Sequence, residues 1–149
     1  MGVKVRFQKL PHAYDLPLPA YESAGAAGAD IRAALPGAPL LLAPMARVAI
    51  PTGLCMSFPR GFEAQIRPRS GLALKQGLSL VNTPGTIDSD YRGEIKVIAV
   101  NLGNTAIEIT HGMRVAQIVF APVIQVKFEE TKTLDDTDRG SAGFGSTGT

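Results

Sequence analysis

Proline and glycine interrupt this chain at short intervals, and that spacing limits the fold more than any other feature. Residues 47–50 stop at Pro51, residues 53–58 stop at Pro59-Arg60-Gly61, and residues 62–67 stop at Pro68. Pro36, Pro39 and Pro44 leave no room for a helix between them, because proline lacks an N–H and its ring clashes with the preceding turn. The runs between these breaks have strand length. Val3, Val5 and Phe7 alternate with Lys4 and Arg6, which predicts a strand with one buried face. Further strands are expected near 78–81, 95–100, 106–110, 114–120 and 123–128. Residues 11–29, rich in Pro, Ala and Gly, read as loop. One short helix is allowed at 69–75, with Ser70 as its cap. Many short strands with almost no helix predict an all-β fold, a β-sandwich or jelly-roll-like barrel.

A chain of 149 residues with 45% apolar content is long enough to bury the core of one domain. The expected division is a β core over 1–128 and a mobile tail over 129–149, where Thr, Asp, Gly and Ser replace apolar residues. A formal charge of +2 is too weak to predict a duplex nucleic-acid partner. No run approaches the roughly 18 apolar residues of a membrane span. The polar, alternating first ten residues lack a signal-type apolar block, so a soluble cytoplasmic protein is expected. Cys55 stands alone, which excludes an internal disulfide framework, and with only His12 and His111 beside it a protein-built zinc site is not expected.

Three groups of residues carry possible chemistry. The first is the stretch 79–100, where Asn82–Gly85 reads as the turn of a hairpin followed by Asp88, Asp90 and Tyr91. An acid here could serve as general base for a water, or could simply favour a solvated turn. The second is Arg67, Arg69 and Ser70, two guanidinium forks and a hydroxyl suited to phosphate, or else a solvated basic loop. The third is the tail. Its glycines free backbone N–H groups for an anion, Arg139, Ser141, Ser146 and Thr147 add donors, and Phe144 could cover a flat ligand such as a nucleobase. A disordered Gly/Ser tail is the alternative.

Five blocks then occur in order: Ala-Gly-Ala-Asp-Ile (27–31), Arg-Pro-Arg-Ser-Gly-Leu-Ala (67–73), Asn-Thr-Pro-Gly-Thr-Ile-Asp-Ser-Asp-Tyr-Arg-Gly-Glu (82–94), Gly-Met-Arg-Val-Ala-Gln (112–117) and Arg-Gly-Ser-Ala-Gly-Phe-Gly-Ser-Thr-Gly (139–148). Together they resemble the homotrimeric dUTPase family, and the resemblance spans nearly the whole chain. It implies hydrolysis of dUTP to dUMP and pyrophosphate with Mg²⁺, which limits uracil in DNA and supplies dUMP for thymidylate synthesis. By the resemblance, Asp88 matches the water-activating carboxylate, and Asp90 does not. Tyr91 matches the ring under the deoxyribose, and Asn82 matches the reader of the uracil edge. Thr86, Ile87 and Lys96 join the same substrate-binding set. Arg69, Ser70, Gly71 and Gln117 match phosphate contacts. Asp30 matches an acid that organises a neighbouring Arg and, through water, the metal; no direct protein ligand to the metal is expected. Arg139, Phe144, Gly145, Ser146 and Thr147 match a tail that closes over the nucleotide. The family's sites are shared between three subunits. Ala142 departs from the usual Gly-Gly-Phe-Gly tail, at a place where glycine could adopt positive φ. Two other functions remain open at this point: a dCTP deaminase or bifunctional deaminase, which shares the architecture, and a non-catalytic nucleotide-binding module.

Overall fold

A computed structural model describes residues 2–143. The elements in order are β1 (Arg6–Lys9), a 3-10 turn (Pro11–Ala13), β2 (Ala29–Arg32), β3 (Leu40–Leu42), β4 (Arg47–Pro51), β5 (Leu54–Ser57), β6 (Phe62–Arg67), α1 (Ser70–Gln76), β7 (Leu78–Leu80), β8 (Gly85–Ile87), β9 (Lys96–Asn101), β10 (Ile107–Ile109) and β11 (Arg114–Pro122). The strands form a four-stranded sheet β2-β11-β6-β8, a three-stranded sheet β4-β9-β7, and the two-stranded pairs β1-β5 and β10-β3, all antiparallel. This is the expected all-β jelly-roll architecture.

The core follows from strand alternation. In β9, Val97 and Ala99 point inward while Lys96 and Ile98 point out. Ile31, Ile66 and Ile118 from the four-stranded sheet meet Ile50, Leu78, Leu80 and Val97 from the three-stranded one in a single cluster. The β2–β11 register shifts between Arg114 and Ala116, and the adjacent Val115 and Ala116 are both buried there. Phe58 and Phe120 close one side of the core edge to face, with ring centres 5.5 Å apart.

Pro and Gly end the elements largely where the sequence placed the breaks. The short helix is present, but Arg69 rather than Ser70 occupies its cap position; Ser70 is the first helical residue and no side chain caps the end. Gly77 terminates the helix at φ 73°, with its N–H bonded to Ala73 O. A side chain there would also collide with Gly103, whose N lies 2.4 Å from the Cβ position.

Other expectations need correction. The first strand starts at Arg6, so Val3 lies outside it. The two apolar runs of the 79–100 stretch do pair antiparallel, β7 with β9, but Asn82–Gly85 is not a tight turn between them, because β8 intervenes and pairs with β6 of the other sheet. Residues 123–128 form no strand. β11 ends at Pro122, and beyond it Ile124, Val126 and Phe128 are exposed, with no neighbouring strand among the described residues to accept their backbone bonds. Ala142 is not at positive φ; in that segment the left-handed residue is Gly140. Among the described residues, no helix is long and apolar enough to cross a membrane.

One buried polar residue joins the pieces. Asn101, at 0% exposure, donates from Nδ2 to Leu42 O (2.9 Å) and Thr105 O (2.8 Å), and its Oδ1 accepts from Gly103 N (2.9 Å). It thereby ties β9 to β3 and fixes the turn that leads into β10. Asn101→Ala strips these groups of partners in a fully buried site and should cost about 3 kcal/mol of unfolding free energy, measurable by urea denaturation.

Candidate active site

The segment between β8 and β9 has no regular structure, yet it is tightly placed. Tyr91 N donates to Asp88 O (3.2 Å), closing a turn over 88–91. Arg92 folds back to donate to Ser89 O and Tyr91 O, both at 2.8 Å. The Tyr91 hydroxyl donates to Glu94 O at 3.0 Å. At the far end, Ile95 N donates to Leu54 O (2.8 Å) and Thr52 Oγ1 donates to Ile95 O (2.6 Å).

This segment walls a cavity of about 470 Å³, large enough for a small ligand. Its rim carries Asn82, Thr86, Asp88, Tyr91, Glu94 and Lys96, and its floor is apolar. Six of the residues expected to bind substrate or act on it, Asn82, Thr86, Ile87, Asp88, Tyr91 and Lys96, therefore share one cavity. The two neighbouring acids separate. Asp88 borders this cavity and a second, more polar one, whereas Asp90 borders only the second, with Arg60 and Glu63.

Sequence reasoning missed the cavity's floor and Glu94. Ala49 and Ile98 are direct partners across β4 and β9, and both line the cavity together with Ile66 and Leu80. Ile98 is 39% exposed on the outward face of its strand. An apolar residue on a face that should be polar was the available signal.

The residues expected to contact phosphate form a second cluster. Asp30, Gln117 and Arg67 stand in one row across β2, β11 and β6. Asp30 accepts from Arg69 Nε (2.7 Å) and Arg114 Nη1 (3.1 Å), so one carboxylate holds two guanidinium groups side by side. Its expected role toward a neighbouring Arg is met by Arg69 and Arg114, not by the adjacent Arg32, which donates to Gly112 O. Gln117 donates to Pro68 O at 2.8 Å and so fixes the entry to Arg69-Ser70-Gly71; Ser70 and Gly71 are exposed at the start of α1. None of these residues lines the cavity of Asp88 and Tyr91. Side chains alternate along β6, so Ile66 faces the core and the cavity while Arg67 faces away. Within one chain the two clusters lie apart.

Arg139 is exposed and donates to Ala142 O at 2.9 Å, within its own segment. Phe144, Gly145, Ser146 and Thr147 lie outside the described residues. Among carboxylates, Asp15 has a pKa lowered from 3.8, first because it accepts a hydrogen bond from His111 (Nε2, 2.9 Å). It does not line the cavity of Asp88 and Tyr91. Its stabilising contribution is present above that value and is lost as pH falls through the lowered one.

The family profile dUTPase matches residues 15–148. A deoxyuridine 5'-triphosphate nucleotidohydrolase of Roseobacter denitrificans is 66% identical over 133 residues, covering 89% of this chain and 88% of that protein. One from Mesorhizobium japonicum is 59% identical over 150 residues, covering 100% of this chain and 93% of that protein. Among solved structures, the dUTPase of Staphylococcus bacteriophage 80alpha with dUpNHpp superimposes with a TM-score of 0.87 over 98% of this chain and 99% of that one; at 22% identity this likeness concerns the fold. The chain belongs to the dUTPase family.

Proposed function

We propose that this chain hydrolyses dUTP to dUMP and pyrophosphate, which keeps uracil out of DNA and supplies dUMP for thymidylate synthesis. The observation that carries the reading is the shared cavity, where a polar base-reading side chain (Asn82), an aromatic ring (Tyr91) and a single carboxylate (Asp88) border one apolar floor. In this reading the uracil sits against Asn82 and the backbone of 82–87. The Tyr91 ring lies under the deoxyribose and leaves no space for a 2′-hydroxyl. Asp88 takes a proton from the water that attacks the α-phosphorus, and pyrophosphate leaves. Rejection of cytosine follows from polar groups left unpaired against its exocyclic amine.

Arg69 and Ser70 are read as donors to the phosphate oxygens, where charge develops during the reaction. Asp30 pre-aligns Arg69, and Gln117 holds the start of its loop. The donor set fits Mg²⁺ delivered on the triphosphate: the carboxylates Asp30 and Asp88 stand in separate clusters, and Mg²⁺ characteristically keeps several waters and binds substrate phosphates. When bound, it would neutralise phosphate charge, with Asp30 contacting it through water. The tail with Arg139, Phe144, Gly145, Ser146 and Thr147 is read as the cover that excludes bulk water. The protein is proposed to work in the cytoplasm, where the nucleotides it acts on are made.

We also read the active form as a homotrimer with shared sites. Two features support this. The phosphate block and the Asp88 cavity face opposite ways from β6, so a second copy is needed to bring them to one nucleotide. In addition, Ile124, Val126 and Phe128 present exposed apolar side chains in sequence, the kind of surface that a partner covers.

A panel of dUTP, dCTP, dTTP and UTP with Mg²⁺ tests the activity. Pyrophosphate should be released from dUTP at a rate at least a hundred times that from the others, as expected for a site that hydrogen-bonds its substrate. Equal rates, or ammonia from dCTP, would contradict the reading. Asp88→Asn should lower kcat by about 10²-fold or more while leaving the affinity for dUTP within a few-fold; calorimetric titration measures the second quantity. Truncation after Asp138 should likewise reduce kcat far more than it weakens folding.

A further inference from the structure

Glu94 is tethered at both ends, and one tether comes from a distant part of the chain. Its Oε1 accepts from Gly53 N (2.9 Å) and from His12 Nε2 (2.7 Å). Its carbonyl accepts from the Tyr91 hydroxyl. His12 belongs to the 3-10 turn Pro11–Ala13, which is docked by Leu10 N donating to Gly53 O at 2.7 Å. This approach requires glycine: Gly53 has φ 63°, and a Cβ there would lie 2.3 Å from the Ala13 Cβ and 3.3 Å from the His12 ring. The N-terminal turn is thus seated so that an imidazole reaches a carboxylate on the cavity wall. Tyr91 itself is 46% exposed, so packing alone does not fix its ring, and among the described residues the bond to Glu94 O is its only side-chain hydrogen bond.

We propose that His12 is a positioning residue for substrate selection: by holding Glu94, it fixes the carbonyl that orients Tyr91, and so sharpens the choice of deoxyribose over ribose. This rests on the reading of Tyr91 as the ring under the sugar. His12 touches neither the cavity nor the reacting atoms. A charge-assisted hydrogen bond of 2.7 Å is among the stronger side-chain contacts, and its loss leaves the Glu94 carboxylate held by Gly53 N alone.

The test is kcat/KM for dUTP and for UTP, with thermal unfolding followed in parallel. His12→Ala should lower the dUTP/UTP selectivity by roughly tenfold, the scale of one charged hydrogen bond. His12→Gln, which retains an N–H donor, should recover most of it. Tyr91→Phe removes the hydroxyl and should produce a similar loss, and the double variant should lose no more than either single one, as expected for residues acting through one contact. Selectivity within twofold of wild type in His12→Ala, or additive losses in the double variant, would overturn the proposal even if stability fell. Should His12→Ala fail to fold, Tyr91→Phe alone decides: unchanged selectivity overturns the proposal. Tyr91→Ala separates the two layers. If it leaves selectivity unchanged, the sugar reading itself is wrong; if it abolishes selectivity while His12→Ala does not alter it, only the clasp is wrong.

Discussion

The arrangement depends on one crossing. After β7 the chain leaves the three-stranded sheet, runs through Asn82–Gly85, and pairs as β8 with β6 of the other sheet before returning as β9. β8 is held on the other sheet by antiparallel pairing with Ala64, Gln65 and Ile66 of β6. Residues of both sheets line the cavity: Ile66 of β6, Leu80 of β7, and the outward-facing Ala49–Ile98 pair of β4 and β9. The returning segment 88–95, fastened to Thr52–Leu54 at one end and turned on itself at the other, brings Asp88 and Tyr91 to the rim.

The same sheet explains why the phosphate block is built elsewhere. Strand β6 contributes Ile66 to the cavity side and Arg67 to the reverse side. The row Asp30–Gln117–Arg67 and the loop that follows Pro68 therefore gather on a surface the cavity does not share. Asp30 compensates the two guanidinium groups that would otherwise repel one another, and it sets Arg69 in one orientation before any ligand arrives. In the proposed reading one nucleotide contacts both surfaces, its base at the cavity and its phosphates at the Arg69 loop, which is the physical content of the proposed sharing between copies.

Much of this was legible in the sequence, for identifiable reasons. Pro51, Pro59 and Pro68 mark strand ends because backbone geometry enforces them locally, and the helix after Arg69 follows from its run of good helix formers. The distinction between Asp88 and Asp90 came from the resemblance of their block to a family; in the fold, Asp88 borders both cavities and Asp90 only the more polar one. The crossing of β8 was not legible, since a turn of Asn, Pro and Gly between apolar runs looks the same whichever sheet receives the next strand. Residues 123–128 alternate like a strand, but alternation does not supply a neighbour to pair with. Glu94 and His12, 82 residues apart in sequence, meet only in the folded chain, so no local pattern announces them.

The central claim is that the Asp88 cavity of one copy works with the phosphate block of another. Mixing two inactive variants after co-refolding tests it most directly: Asp88→Asn disables the cavity, and Ser70→Glu places a repelling carboxylate in the phosphate block. If sites are shared, mixed assemblies contain some sites with both parts intact, and dUTP hydrolysis should reappear with a maximum near equal proportions of the two chains. If each chain carries its own complete site, the mixture should stay as inactive as either variant at every proportion, and the shared-site account would be wrong.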